Sequence, residues 1–286
     1  MPTASKLPIN TSATANDMAE AMFGNGITVV SASYTGAAGA SGIYSDGDST
    51  SPELTPSDTG VILSTGNAVN VTNATGDVNA VDWKSTNHGT SGDSDLSSVS
   101  GQATYDAAVF EAEFLPQGSI LTMRIVFSSE EYLEYVNSGF NDAVGIWVNG
   151  VQAELTVGTG DISIDNINTG SNENLYLDNA RSDDTYNTEM DGFTVTLTLK
   201  APVNAGANNT IKIGIADGGD GVYDSNLLIA GDSVQTALVA GDDDISVRIG
   251  QEVDVDVLAN DQSASGGLLT ITHINEQHVI VGDTIT

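Results

Sequence analysis

Between Ile125 and Gly150 the chain runs apolar, then acidic, then apolar: I-V-F-S-S-E-E-Y-L-E-Y-V-N-S-G-F-N-D-A-V-G-I-W-V-N-G. Ile125 to Phe127 and Ala143 to Val148 are short runs of strand type, and the second ends on the turn signal Asn149-Gly150. A chain built from such runs must cover them with other strands. Between them stand Glu130, Glu131, Glu134, Asn141 and Asp142, with no Lys or Arg from Ile125 to Asp142. Carboxylates crowded in this way repel one another unless a cation or hydrogen-bond donors stand among them.

A second acidic stretch, I-A-D-G-G-D-G-V-Y-D-S, occupies residues 215–225. Its glycines let the loop turn tightly. Hard oxygen donors on a flexible loop suit Ca2+. The sequence therefore predicts that the two loops meet and hold calcium. The expected ligands are Glu130, Glu131, Asn141, Asp142, Asp217, Asp220 and Asp224, with Asp106 approaching from the start of its own strand. The plain alternative is two solvated acidic loops. Asp46 and Asp48 form a further Asp-x-Asp pair that a solvated turn explains equally well.

These motifs carry a family resemblance. F-S-S-E-E-Y, F-N-D-A-V-G-I-W-V-N-G, D-G-F-T-V-T-L-T and the 215–225 stretch resemble the choice-of-anchor L domain. Upstream, G-I-T-V-V-S-A-S-Y-T-G, G-V-I-L-S-T-G, G-D-S-D-L and Y-D-A-A-V-F-E-A-E-F-L-P follow in the same order. The resemblance covers about residues 10–235. It implies a secreted or surface-displayed β-rich bacterial module, and it brings no catalytic residues with it.

Composition narrows the partners. The 286 residues carry 39 acids against 7 bases, a formal charge of −32. Nucleic acid and anionic membrane surfaces are therefore poor partners. Mean hydropathy is −0.04 and no long apolar run is present, so no membrane insertion is expected. There is no cysteine, hence neither disulfide nor thiolate chemistry. Metal clips can take the place of disulfides by closing loops. The opening M-P-T-A-S-K-L-P-I-N lacks a signal-peptide core, which suggests a trimmed start or another export signal within a longer parent protein.

Taken in order, residues 11–24 read as one short helix, capped by Thr14, Asn16 or Asp17. Strands are expected at 27–34, 61–63, 107–114, 120–127, 143–148, 193–199, 211–215, 227–230 and 234–239. Residues 151–157 and 162–167 continue the β pattern. On 107–114 Glu111 and Glu113 mark a wet face. Lys212 lies on the wet face of its own strand. Residues 35–60, 67–104 and 168–190 read as long loops, and Trp83 and His88 sit in the second. The fold class is all-β: an antiparallel β-sandwich, jelly-roll-like, with one short N-terminal helix and long loops, over residues 1–237.

At Ala240 the character changes. The run A-G-D-D-D leads into V-D-V-D-V-L-A-N-D, which resembles the start of cadherin-like or immunoglobulin-like tandem repeats. Residues 238–286 would be an incomplete repeat, with Asp242, Asp243 and Asp244 as interdomain calcium ligands.

No G-x-S-x-G, H-E-x-x-H, P-loop or Rossmann fingerprint is present. Glu130 and Glu131 would point oppositely in extended chain, and calcium between carboxylates opposes the raised pKa of a general acid. The sequence thus favours a non-catalytic, calcium-stabilised adhesive or structural module. Its partner would be a surface glycan or another copy of the protein. A calcium-dependent, lectin-like domain is the second reading and a glycoside hydrolase the third.

Overall fold

The computed structural model describes residues 2–183 and 185–236, with 271, 273–274 and 277–278. The repeat expected over 238–286, with Asp242, Asp243 and Asp244, lies almost wholly outside the described residues. Those that fall there include a small antiparallel pair, His273–Ile274 against Gln277–His278.

The chain opens with β1 (Ile9–Asn10), α1 (Ala15–Met22), β2 (Ile27–Thr35), β3 (Ser41–Tyr44), the short α2 (Gly47–Thr50) and β4 (Gly60–Ser64). Next come α3 (Ser94–Ser100), β5 (Thr104–Pro116), β6 (Ile120–Ser129) and β7 (Ala143–Val148). The small strands β8 (Val151–Gln152), β9 (Glu154–Leu155), β10 (Ile162–Ser163) and β11 (Tyr176–Asp178) follow. The last group is β12 (Gly192–Thr194), β13 (Leu197–Pro202), β14 (Asn209–Gly218), β15 (Ser225–Ala230) and β16 (Gln235–Thr236).

These strands form an antiparallel sandwich of two sheets. One runs β1-β3-β4-β15-β6-β12-β11, with β13 and β16 also on β6. The other runs β10-β7-β14-β5-β2. Ile125 and Phe127 of β6 point into the main core with Phe110, Ile213 and Ile215. Val126 points the other way, into a second core with Leu228, Ile62, Phe193 and Leu7. The first sheet is thus buried on both faces around Ile125–Phe127 of β6 and Leu227–Ala230 of β15, which is why these stretches read as unbroken apolar runs.

Several expectations are corrected. Among the described residues there are three α-helices, not one: Ser94–Ser100 is helical, with Asp93 as N-cap accepting from Asp95 and Leu96 and Gly101 closing it at φ 73°. The N-terminal helix is shorter than expected; its capping box is Thr14 with Asp17. Residues 151–167 hold only dipeptide strands, and the 168–190 loop contains β11.

The run 193–199 is two strands. Phe193 pairs with Ser128 and Leu197 with Ile125, so Val195 and Thr196 together oppose Val126. This bulge shifts the phase by one residue. Phe193 therefore lies in the second core while Leu197 and Leu199 lie in the first.

On the outer face of the second sheet, Lys212 bonds Asp93 and Asp95 at 2.7–2.8 Å beside Trp147. The Asn149-Gly150 turn has positive φ at both residues, as a two-residue hairpin requires.

Candidate functional site

The inward face of β14 carries Ile211, Ile213 and Ile215, all at most 1% exposed. The same alternation delivers Asp217, 3% exposed, to that face. In the β14–β7 register Ala216 faces Ala143, so one step further Asp217 faces Asp142. Like charges directly opposite destabilise a sheet. Asp142 is met by donors: the Gly218 N–H at 2.8 Å and the Ser225 hydroxyl at 2.6 Å. Burial still pushes Asp142 up to about 7. Asp217 is raised well above the ordinary range, first by burial and then by Asp142, and its Oδ1 has no hydrogen-bond partner.

Beyond β6 the strand's alternation continues through Glu130 and Glu131, both 1% exposed. They part to opposite faces. Glu131 is pushed up to about 9 by burial, then by Asp142 and Asp220, and its Oε2 is unpartnered. It belongs with Asp142 and Asp217. Glu130 is pushed up to about 10 by burial, then by Asp191, with Glu189 and Asp224 nearby. Asp224 is raised to about 6, again mainly by burial, and stands among both groups.

The two predicted loops therefore meet at one end of the sandwich. The Glu130 N–H bonds the Asp224 carbonyl at 3.2 Å, and Ser225 pairs with Ser129. Eight carboxylates are buried there and nearby: Asp106, Glu130, Glu131, Asp142, Glu189, Asp191, Asp217 and Asp224. No Lys or Arg is buried among the described residues. Lys84, partly exposed, reaches Glu189 at 3.9 Å.

A strap over residues 80–90 closes this end. Its backbone N–H groups donate downward in turn. Ala80 serves Glu189 at 3.0 Å, Lys84 serves Glu130 at 3.0 Å, and Thr86 serves Asp224 at 2.6 Å. His88 and Thr90 serve the two oxygens of Asp106 at 2.8 and 2.6 Å. From Lys84 to Thr90 every second residue donates, because alternate N–H groups of extended chain point the same way. Asp106 reaches the strap from a bulge. Ile215 pairs with Ala108 but Asp217 with Tyr105, which leaves Asp106, at φ 45°, as the extra residue.

The other expected residues fall as follows. Asn141 uses its whole amide within the protein, accepting from Asp165 N–H and donating to the Ser100 carbonyl. Asp220 is partly exposed at the lip, accepting from Val222 N–H. Asp46 and Asp48 are exposed at α2, away from the buried group. Sequence reasoning missed Glu189, Asp191, Asn79 and the strap. Residues 67–104 lack the apolar period that marks an element, so nothing there points to Asn79 or to the backbone donors of the strap. Among the described residues no group of three His, Asp or Glu side chains stands ready-formed to hold a metal.

A family profile described as the Choice-of-anchor L domain matches residues 7–235. The chain belongs to the choice-of-anchor L family. Choice-of-anchor L domains are surface-anchored bacterial modules, which places the protein at the cell surface or outside the cell. The buried carboxylates of this choice-of-anchor L domain all lie within the matched span. Among its described residues no helix is long and apolar enough to cross a membrane. No curated protein and no solved structure matches the chain.

Proposed function

We propose that the domain is a calcium-stabilised, non-catalytic adhesive or structural module of a bacterial surface protein. The observation that carries this is the buried acid group at one end of a sandwich with no buried Lys or Arg among the described residues. Bringing an ionised carboxylate out of water costs several kcal/mol, roughly, unless it is paired or bound to a metal. Glu131, Asp142 and Asp217 converge from three strands' ends, with Asp220 at the lip. Glu131 Oε2 and Asp217 Oδ1 have no donor. Carboxylate oxygens from several loops are the donors that calcium takes. A cation would draw in side chains that repel one another without it.

The non-catalytic reading rests on burial. Glu130 and Glu131, each 1% exposed, leave no surface against which a sugar ring could react.

Calcium at about 100 times its Kd adds about 2.7 kcal/mol. In a domain of this size that raises Tm by roughly 5–10 °C. Melting curves in calcium and in EGTA test this, and Asp217→Asn is expected to remove most of the difference. Identical curves for the wild-type protein in the two buffers sink the reading.

One observation favours the lectin-like alternative. Tyr135, Phe140 and Tyr223 cluster beside the acidic lip, with ring centroids 5.3 and 5.6 Å apart about Tyr135. Half-exposed aromatic faces next to a cation site suit a sugar. A glycan array run with calcium and with chelator decides: calcium-dependent signal that Tyr223→Ala abolishes supports it, and a blank array leaves the structural role.

A further inference from the structure

The acids on the outer face of the first sheet form a group of their own. In the β6–β12 register Gly192 faces Ser129 and Phe193 faces Ser128, so Asp191 stands opposite Glu130. In the β6–β15 register Ser225 faces Ser129, so Asp224 stands opposite Glu130 on the other side. Three acids thus share one rung, Asp224–Glu130–Asp191, on a face that is otherwise the second core. Such a row has no counterpart in ordinary sheet pairing, where like charges are kept apart. The next rung on the same face is Asn226–Ser128.

Unpartnered oxygens gather at these two rungs. Glu130 Oε2, Asp224 Oδ2, Ser128 Oγ and Asn226 Oδ1 are all buried without a hydrogen-bond partner. Above them Asn79, 0% exposed, donates its amide N–H to Asp191 Oδ1 at 2.7 Å. Its other N–H goes to the Asn179 carbonyl at 3.0 Å, and its Oδ1 is left without a donor. Asn79 is not a member of the acid row, yet its amide is aimed at Asp191. Buried polar atoms are normally satisfied, and of these five only the Ser128 hydroxyl could donate to a neighbour. One hydroxyl cannot serve four acceptor oxygens; a cation can, and hard oxygens call for a hard one.

We propose that Glu130, Asp191 and Asn79 hold a second divalent cation of the calcium class, beneath the strap and separate from the Asp142–Asp217 site. Glu130 and Glu131 leave β6 towards different acids, Asp191 and Glu189 for the one and Asp142 and Asp220 for the other, with Asp224 between the two groups. Lys84 is the only base paired with this group among the described ion pairs, and it reaches only Glu189. The rival arrangement is a proton shared between Glu130 and Asp191, whose carboxyls are close enough to hydrogen-bond. It leaves Asn79 Oδ1 and the neighbouring oxygens unserved.

Ion counting on the full chain separates these. Native mass spectrometry and calcium titration calorimetry at neutral pH are run on the wild type, Asp191→Asn, Glu130→Gln and Asp217→Asn. Circular dichroism confirms that each variant is folded. The expected result is two ions in the wild type. Asp191→Asn and Glu130→Gln each lose one and keep the ion that Asp217→Asn removes. A wild type holding one ion that Asp217→Asn abolishes overturns this proposal and leaves the first site standing. Retention of both ions in Asp191→Asn and Glu130→Gln also overturns it, and a rise of their Tm in chelator would identify the shared proton. One ion lost in Asp191→Asn but none in Asp217→Asn keeps this site and removes the other.

Discussion

A carboxylate on the core-facing side of a strand is the unit from which this site is made. Asp217 follows three isoleucines on one face of β14, and Glu131 follows Ile125, Phe127 and Ser129 on one face of β6. With no cation present, burial raises Asp224 to about 6, Asp142 and Asp191 to about 7, Glu131 to about 9 and Glu130 to about 10. In the unfolded chain the same groups titrate near 4, roughly. Between those limits the folded state holds more protons than the unfolded one. Stability in chelator therefore falls as pH rises from about 4 towards 10. On the proposed reading calcium displaces those protons, so its own contribution grows over the same range. Thermal melts in EGTA at pH 5 and pH 8 should show the higher Tm at pH 5, with calcium narrowing or reversing the gap. A higher Tm at pH 8 in EGTA would contradict the buried acid group.

Elements set which acids meet. Loops rich in Asp and Gly were legible as a pair of acidic segments, and both lie at one end of the sandwich. The strands leading to them were legible too, because β5, β6, β7 and β14 keep their period. What stayed hidden depends on register. Asp191 lies opposite Glu130 only because Gly192 faces Ser129, and no local pattern encodes that pairing. The bulge at Val195 and Thr196 breaks an alternation that looked unbroken in sequence. The strap is hidden for another reason: its bonds use backbone N–H groups, which every residue but proline carries. A single glycine tests the arrangement. Gly66, two residues past the end of β4, lies directly under the Asp224 carboxylate, where an added Cβ would collide with all three carboxylate atoms. Gly66→Ala must displace Asp224 and its bond to Thr86. It is expected to cost about 1–3 kcal/mol, in the range of overpacking elsewhere. Chemical denaturation read against Gly76→Ala, whose added Cβ meets open space at a positive φ, separates collision from backbone strain.

At the scale of the molecule, 39 acids face 7 bases, and mutual repulsion acts on the whole surface. Added NaCl screens that surface within about 8–10 Å at ordinary strength, and it cannot reach charges sealed under the strap. The shortage of bases has another effect. Trypsin has few places to cut, and one of them is Lys84, in the middle of the strap and next to Trp83, which is 61% exposed. Extended, accessible backbone is what a protease grips. On the proposed reading, the acceptors that anchor the strap need a cation to stay ionised and in place. Removing calcium should loosen it and open the Lys84–Ser85 bond, giving two fragments whose appearance over time is followed on a gel. Equal cleavage rates with and without calcium would separate the strap from the ions. In a calcium-rich medium such a domain would be long-lived among foreign proteases. In a depleted one it would be cut first in the strap, so the lifetime of the displayed module would follow the ion content of its surroundings.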